Sequence, residues 1–137
     1  MRFIALAALA LTLVSCKPAE KPADAAMAAA PEPTWAVVVL YNQPKDTAAF
    51  EKYYWETHVP LVGANQQEIG FVKAELVRFP SNLDGSKPAF YRKAELWFNS
   101  EDDMKKGLAT PGFKKVADDL GNFATGGLTG LISTTAK

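Results

Sequence analysis

The sequence predicts an α+β domain with the element order β-α-β-β-α-β, and three observations carry that prediction. An unbroken β-branched run, Trp35 to Tyr41, precedes an amphipathic segment that starts near Asp46. Two apolar runs, Phe71 to Phe79 and Ala89 to Phe98, flank a turn-rich loop at residues 80–88. A second amphipathic segment, from Ser100 to Phe123, halts at Gly126-Gly127 before a last apolar run. That order is the split βαβ, or ferredoxin-like, arrangement. The chain has 137 residues, 48% of them hydrophobic, which suits one domain with a real core. Its 15 basic and 15 acidic residues balance, and no basic run marks a helix face, which argues against a nucleic-acid partner.

The N-terminal residues are expected to lie outside that domain. Arg2 supplies a positive start, and Phe3 to Val14 form an apolar stretch of signal-peptide length. A membrane-spanning helix needs roughly 20 apolar residues, so this run is too short to be one. It ends in Leu13-Val14-Ser15-Cys16, which resembles the bacterial lipobox, in which the cysteine is lipidated and becomes the new N-terminus. Cys16 is the only cysteine, and a lipid on it removes the problem of an unpaired thiol in an oxidising compartment. Residues 1–16 are thus expected to be a lipoprotein signal. Lys17 after the cysteine resembles the pattern for outer-membrane sorting, so the expected location is the bacterial cell envelope, at the outer membrane facing the periplasm. Residues 17–33 are almost all Ala, Pro and charge, with nothing large to bury, and read as a tether. At roughly 3.1 Å per residue it spans up to about 50 Å. The folded domain is expected over residues 34–137.

Within the domain, the apolar run at Trp35 suits a central strand buried on both faces. Asn42-Gln43-Pro44-Lys45 breaks it and Asp46 is a fair N-cap. Phe50, Tyr53, Tyr54, Thr57 and Leu61 then recur at helical spacing. Pro60 is expected to end or kink this helix near His58, because a residue before proline is biased away from the helical region. The next two strands form a hairpin. Lys-Ala-Glu-Leu occurs at Lys73 to Leu76 and again at Lys93 to Leu96. Folding about Asp84 would set Lys73 opposite Glu95 and Glu75 opposite Lys93, as stabilising cross-strand pairs. One hairpin face then carries Phe71, Val77, Phe79, Tyr91 and Trp97, and the other Val72, Ala74, Leu76, Phe90, Ala94, Leu96 and Phe98. Both faces are substantially apolar, whereas helices cover only one in so small a domain. A second copy of the chain is the economical cover, so a homodimer is expected. Ser100-Glu101-Asp102-Asp103 starts the second helical region, and Pro111 restarts it. Leu128 to Thr134 is the last strand, the first strand is placed centrally and the second at an edge.

Three motifs spread along the domain support a family resemblance. They are Tyr53-Tyr54-x-x-x-His58-Val59-Pro60-Leu61, the strand Ala94-Glu95-Leu96-Trp97-Phe98 leading into Asp102, and Asn122-Phe123-Ala124-Thr125-Gly126-Gly127. Together they resemble the EthD family of the dimeric α+β-barrel superfamily, over roughly residues 35–134. The resemblance implies a ferredoxin-like protomer whose sheet packs face to face against that of a partner. The family takes its name from a protein linked to ethyl tert-butyl ether degradation, and members are often labelled reductases. Relatives on the same barrel include cofactor-free monooxygenases, lactone isomerases, polyketide cyclases and haem-handling enzymes, and fold alone does not choose among them.

His58 is the only histidine and the only side chain whose ordinary pKa lies near neutrality. Tyr54 stands four residues earlier on the same helical face, and Tyr41 ends the central strand. A histidine beside phenols suits proton removal next to a carbonyl, with the phenols steadying the enolate. His58, Tyr54 and Tyr41 are therefore the candidate catalytic residues, with Trp55, Trp97 and Phe123 as candidate pocket residues. The alternative use of His58 is structural, capping backbone carbonyls near Pro60. No His-x-x-x-His or Glu-x-x-His spacing occurs, so no metal site is expected. No glycine-rich nucleotide loop follows a strand either, so no cofactor is expected; haem on His58 alone is the remaining exception. The expected function is conversion of a small apolar or carbonyl-bearing molecule by histidine-centred acid–base or cofactor-independent redox chemistry. The rival is a non-enzymatic small-molecule-binding lipoprotein using the same pocket.

Overall fold

A computed structural model of the chain describes residues 32–135. The expected signal at residues 1–16, with Cys16, and all but the last two residues of the tether lie outside the described residues. Strand β1 (Trp35–Asn42) leads into a helical stretch made of α1 (Thr47–Tyr53), a π turn (Tyr54–His58), α2 (Val59–Ala64) and α3 (Gln66–Ile69). Strands β2 (Lys73–Arg78) and β3 (Phe90–Phe98) follow, then α4 (Glu101–Leu108), α5 (Pro111–Asp119), a 3-10 turn (Leu120–Asn122) and β4 (Leu128–Thr134). The sheet order is β2-β3-β1-β4 and every pairing is antiparallel. This is the ferredoxin-like α+β fold, with β1 central and β2 at an edge as the sequence predicts.

The helix caps follow from local chemistry. The Asp46 carboxylate accepts from Ala49 N–H at 3.0 Å, Ser100 Oγ from Asp103 N–H at 3.1 Å, and Thr110 Oγ1 from Phe113 N–H at 3.1 Å. Each satisfies a backbone donor that the first helical turn leaves unpaired. Pro111 occupies the first turn of α5, where its missing N–H costs nothing.

Of the two outcomes expected at Pro60, the helix does not end there, and its backbone is deformed near His58. The backbone widens into the π turn just before it, and Val59 N–H bonds to Tyr54 O, five residues back. A proline ring in a regular helix collides with the carbonyl four residues earlier. One wide turn relieves that collision, and the helix continues through Val59 in ordinary helical geometry. Phe50, Tyr54 and His58 consequently line one buried face.

The hairpin register also differs from expectation. Lys73 faces Trp97, Glu75 faces Glu95 and Val77 faces Lys93, so the turn is centred on Gly85 and not on Asp84. Gly85 has φ 83°, a left-handed conformation that glycine adopts without strain. A two-residue slip leaves every side chain on its own face, so apolar alternation does not distinguish the two registers. The charges pair within each strand instead, Lys73 with Glu75 at 2.6 Å and Lys93 with Glu95 at 2.9 Å.

Two residues change sides relative to the simple alternation. The β1–β3 register shifts between Tyr41 and Asn42, so that Tyr91 is the extra residue of a bulge. Tyr91 turns toward the helices, its ring 5.3 Å from that of Phe50. Phe71 precedes β2 and joins Ile69, Leu96, Phe98, Met104 and Val116 in one core cluster. A second cluster gathers Tyr41, Phe50, Tyr54, Tyr91 and Phe123. Both lie between sheet and helices. Among the described residues no helix covers the opposite sheet face, which carries Val77, Trp97 and Leu131; Leu131 is 49% exposed.

Candidate functional site

Between the two core clusters the helices leave a cavity of about 200 Å³ over the sheet. Val37, Val39, Leu76 and Ala94 form its floor, and Val59, Val62, Phe113 and Val116 its roof. Tyr41, Tyr54 and His58 also line it, so the structure brings these three predicted residues together around one space. One helical turn of spacing and the end of the neighbouring strand account for the convergence. Tyr54 and His58 project from the π turn, and Tyr41 rises from β1 beneath them, its ring 5.8 Å from that of Tyr54.

His58 is buried, and its Nδ1 lies 2.8 Å from Asp119 Oδ2 at the end of α5. An ionised carboxylate only accepts, so Nδ1 carries the proton and Nε2 keeps its lone pair. Burial is the larger effect on the imidazole and pushes it below its ordinary 6.5, while the hydrogen bond and charge of Asp119 pull the other way. His58 is therefore neutral at neutral pH. Burial likewise opposes the charge on Asp119, but hydrogen bonds from His58, Asn122 and Tyr53 outweigh it and hold the carboxyl below 3.8. Tyr53 donates its hydroxyl to Asp119 Oδ1 at 2.8 Å, and Asn122 Nδ2 donates to the same oxygen at 2.9 Å. The Phe123 ring sits 4.7 Å from the imidazole and closes the outer side.

Both cavity phenols are held protonated. Burial raises Tyr54 to about 12, with Arg92 opposing, and raises Tyr41 further still. They are hydrogen-bond donors, not bases. One neutral imidazole with a free Nε2, oriented by a carboxylate and flanked by phenolic donors, can remove a proton and steady the oxyanion that results.

The remaining predicted pocket residues stand elsewhere. Trp55 lies on the outer side of the helix, 48% exposed, where its indole N–H donates to Glu51 Oε2 at 2.9 Å. Its position one residue from Tyr54 in the π turn turns it away from the cavity. Trp97 lies on the opposite face of the sheet, with Lys73 Nζ 6.0 Å from its ring, because strand alternation sends it away from Leu96. Phe123 supports His58 and Tyr54 from behind without lining the cavity.

Asp119 was not among the predicted residues. The signal was present: it sits three residues after Val116, on the flank of the apolar stripe, and at the C-terminal end of α5, where a helix dipole disfavours a negative charge. Behind Tyr54 lies a second polar cluster that the sequence does not reveal. Arg92 Nη2 bonds both Glu51 oxygens, at 3.0 and 2.9 Å, and its guanidinium stacks 4.7 Å from the Tyr54 ring centre. Tyr91 donates to Glu51 Oε1 at 2.6 Å. Burial works against ionisation of Glu51, and the hydrogen bonds from Tyr91 and Arg92 overcome it. Among the described residues, no group of three or more His, Cys, Asp and Glu side chains is placed to hold a metal ion.

An antiparallel ferredoxin-like sheet with helices on one face and a small, apolar, histidine-lined cavity between them defines a small α+β domain. Residues 42–127 match the EthD domain family, and the chain belongs to that family. It is 39% identical over 97 residues to an uncharacterised 11.0 kDa protein of the thcB–thcC intergenic region of Rhodococcus erythropolis, covering 71% of this chain and 90% of that protein. An EthD-family protein from Bacillus halodurans superposes with a TM-score of 0.66 at 26% identity, over 75% of this chain and 99% of that one. A protein of unknown function from Bacteroides fragilis, described as dimeric with a ferredoxin-like fold, superposes with a TM-score of 0.54 at 13% identity, over 74% and 95%; that likeness is one of fold.

The depressed pKa of His58 makes a signed prediction. Between its folded pKa and 6.5 the unfolded chain binds more protons, so the stability this group contributes is present above 6.5 and is lost as pH falls. Titration of the imidazole by NMR should give a value below 6.5. Asp119→Asn removes the charge that opposes burial and should lower it further; an upward shift in that variant would contradict the assignment.

Proposed function

We propose that this EthD-family protein converts a small carbonyl-bearing molecule by acid–base catalysis at His58, without a bound cofactor. The observation that carries the reading is the His58 Nδ1–Asp119 bond of 2.8 Å, which leaves Nε2 as the ring nitrogen available to the cavity. His58 Nε2 takes a proton from the carbon beside the carbonyl, and the C–H electron pair moves into a C=C bond. The charge collects on the former carbonyl oxygen, where Tyr54 and Tyr41 donate hydrogen bonds. Asp119 holds the tautomer and steadies the imidazolium that forms. Return of the proton to a different atom completes an isomerisation. A binding protein without chemistry requires neither a carboxylate-oriented imidazole nor its bracing by Tyr53 and Asn122, and the acid–base reading is favoured on that ground.

Exchange of α-protons in D2O, followed by NMR on simple ketones such as acetophenone and cyclohexanone, tests the chemistry. The full-length protein should accelerate exchange above buffer, and His58→Gln should reduce that acceleration by about 10²-fold or more. Exchange at the buffer rate, or exchange indifferent to His58, would sink the assignment.

The same reading takes the protein as a homodimer joined through the uncovered sheet face. Val77 and Leu131 stand on that face beside the paired charges of Lys93 and Glu95. Sedimentation of the full-length protein in detergent should give two copies, and Leu131→Asp should shift the population toward one. A monomer at micromolar concentration would refute it.

Cys16 is proposed as the lipid attachment site that holds the domain at the cell envelope. Cys16→Ser should move the protein from the membrane fraction to the soluble fraction. Retention in the membrane fraction would count against the anchor.

A further inference from the structure

We infer that the cavity selects a neutral, single-ring carbonyl compound, oriented with its oxygen toward Tyr41, Tyr54 and His58 and its ring toward Phe71, Leu96 and Val116. The inference rests on the acid–base reading above for the role of the oxygen, but its support is independent: volume, the distribution of polarity, and charge.

Volume sets the size. The cavity measures about 200 Å³. An apolar protein cavity of about 150 Å³ is filled by benzene. The space here therefore admits one ring with a small substituent and not two rings. Small residues make the room, since Ala74 and Ala94 rise from the sheet and Ala117 descends from α5, where larger side chains would close it.

Polarity sets the orientation. The cavity lies between the two core clusters, and its hydroxyls come from one of them, through Tyr41 and Tyr54. His58 belongs to the same end, with its ring against Phe123. Phe71, Leu96 and Val116 belong to the other cluster and offer only carbon, and Gln66, the polar residue at that end, has its Nε2 donating to Phe71 O at 3.3 Å. A ligand with one oxygen at one end and hydrocarbon at the other matches both halves.

Charge sets the exclusion. Among the described residues, no Lys, Arg, Asp or Glu lines the cavity. The nearest candidate cation is Arg92, which stacks on the Tyr54 ring, does not line the cavity and has both Glu51 oxygens on its Nη2. Its charge is balanced before any ligand arrives. A carboxylate or phosphate would meet only the neutral donors of Tyr41 and Tyr54 and no fixed cation, and a buried charge without a counter-charge is disfavoured.

Saturation-transfer NMR on the full-length protein at pH 7.5, with three probes, tests this. Acetophenone should bind. Benzoate, of nearly the same shape but charged, should bind about a hundredfold more weakly or not at all. Benzophenone, with a second ring, should not compete with acetophenone. Ala94→Leu, which fills the floor, should abolish acetophenone binding. Thermal melting of that variant establishes that it is folded, and the three-probe comparison on the unaltered protein stands without it. Benzoate binding as well as acetophenone, benzophenone competing freely, none of the three binding, or a folded Ala94→Leu variant that binds normally would each overturn the inference. Binding of acetophenone without α-proton exchange would leave this ligand class standing and remove the catalytic reading. Exchange with no preference for size or charge would do the reverse.

Discussion

The arrangement depends on one hydrogen bond, from His58 Nδ1 to Asp119 Oδ2. It joins the π turn to the C-terminal end of α5, its neighbour in the helical layer, beside the cavity. A hydrogen bond to a charged partner contributes about 1.5–3 kcal/mol, and in a site this buried each group left alone would be penalised. Asp119 runs against its own helix dipole and is stabilised in place by Tyr53, Asn122 and His58 together. The bond decides the tautomer, and the tautomer decides that a lone pair is available to the cavity. Tyr54 and Tyr41 then become the donors nearest any charge that proton removal creates.

A cavity is costly, and its persistence in so small a core needs a physical account. Space of about 200 Å³ left beside the core forgoes packing contacts that larger side chains would make. Ala74, Ala94 and Ala117 could each carry a larger apolar side chain pointing into the space. Their smallness therefore fits a binding role better than a packing role. Arg92 and Glu51 act in the same sense. They neutralise each other behind Tyr54 and keep the cavity itself free of fixed charge.

Much of this was legible before any coordinates. Element order follows from periodicity, and the caps at Asp46 and Ser100 from side chains that accept backbone hydrogen bonds. His58 and Tyr54 share a face in the sequence because four residues make one helical turn. Pro60 marked a disturbance near His58, but local bias does not reveal that a π turn carries the helix past the proline. The hairpin register misled for a different reason: slipping by two residues preserves the faces, so Lys73 and Glu75 satisfy their charges within one strand as readily as across two. Trp55 and Trp97 drew attention through size and family motif, but the π turn and the strand pleat aim both away from the cavity.

Taken alone, the sequence determined the fold class, the central position of β1, and the pairing of one histidine with a phenol on one helical face. These are local properties, set by spacing along a single element. Tertiary structure alone decided that Asp119 meets His58, that a bulge swings Tyr91 beneath Phe50, and that Arg92 is spent on Glu51 behind Tyr54. Those contacts join residues 61, 41 and 41 positions apart in the chain. No periodicity reports which distant side chains two packed layers will bring within hydrogen-bonding reach.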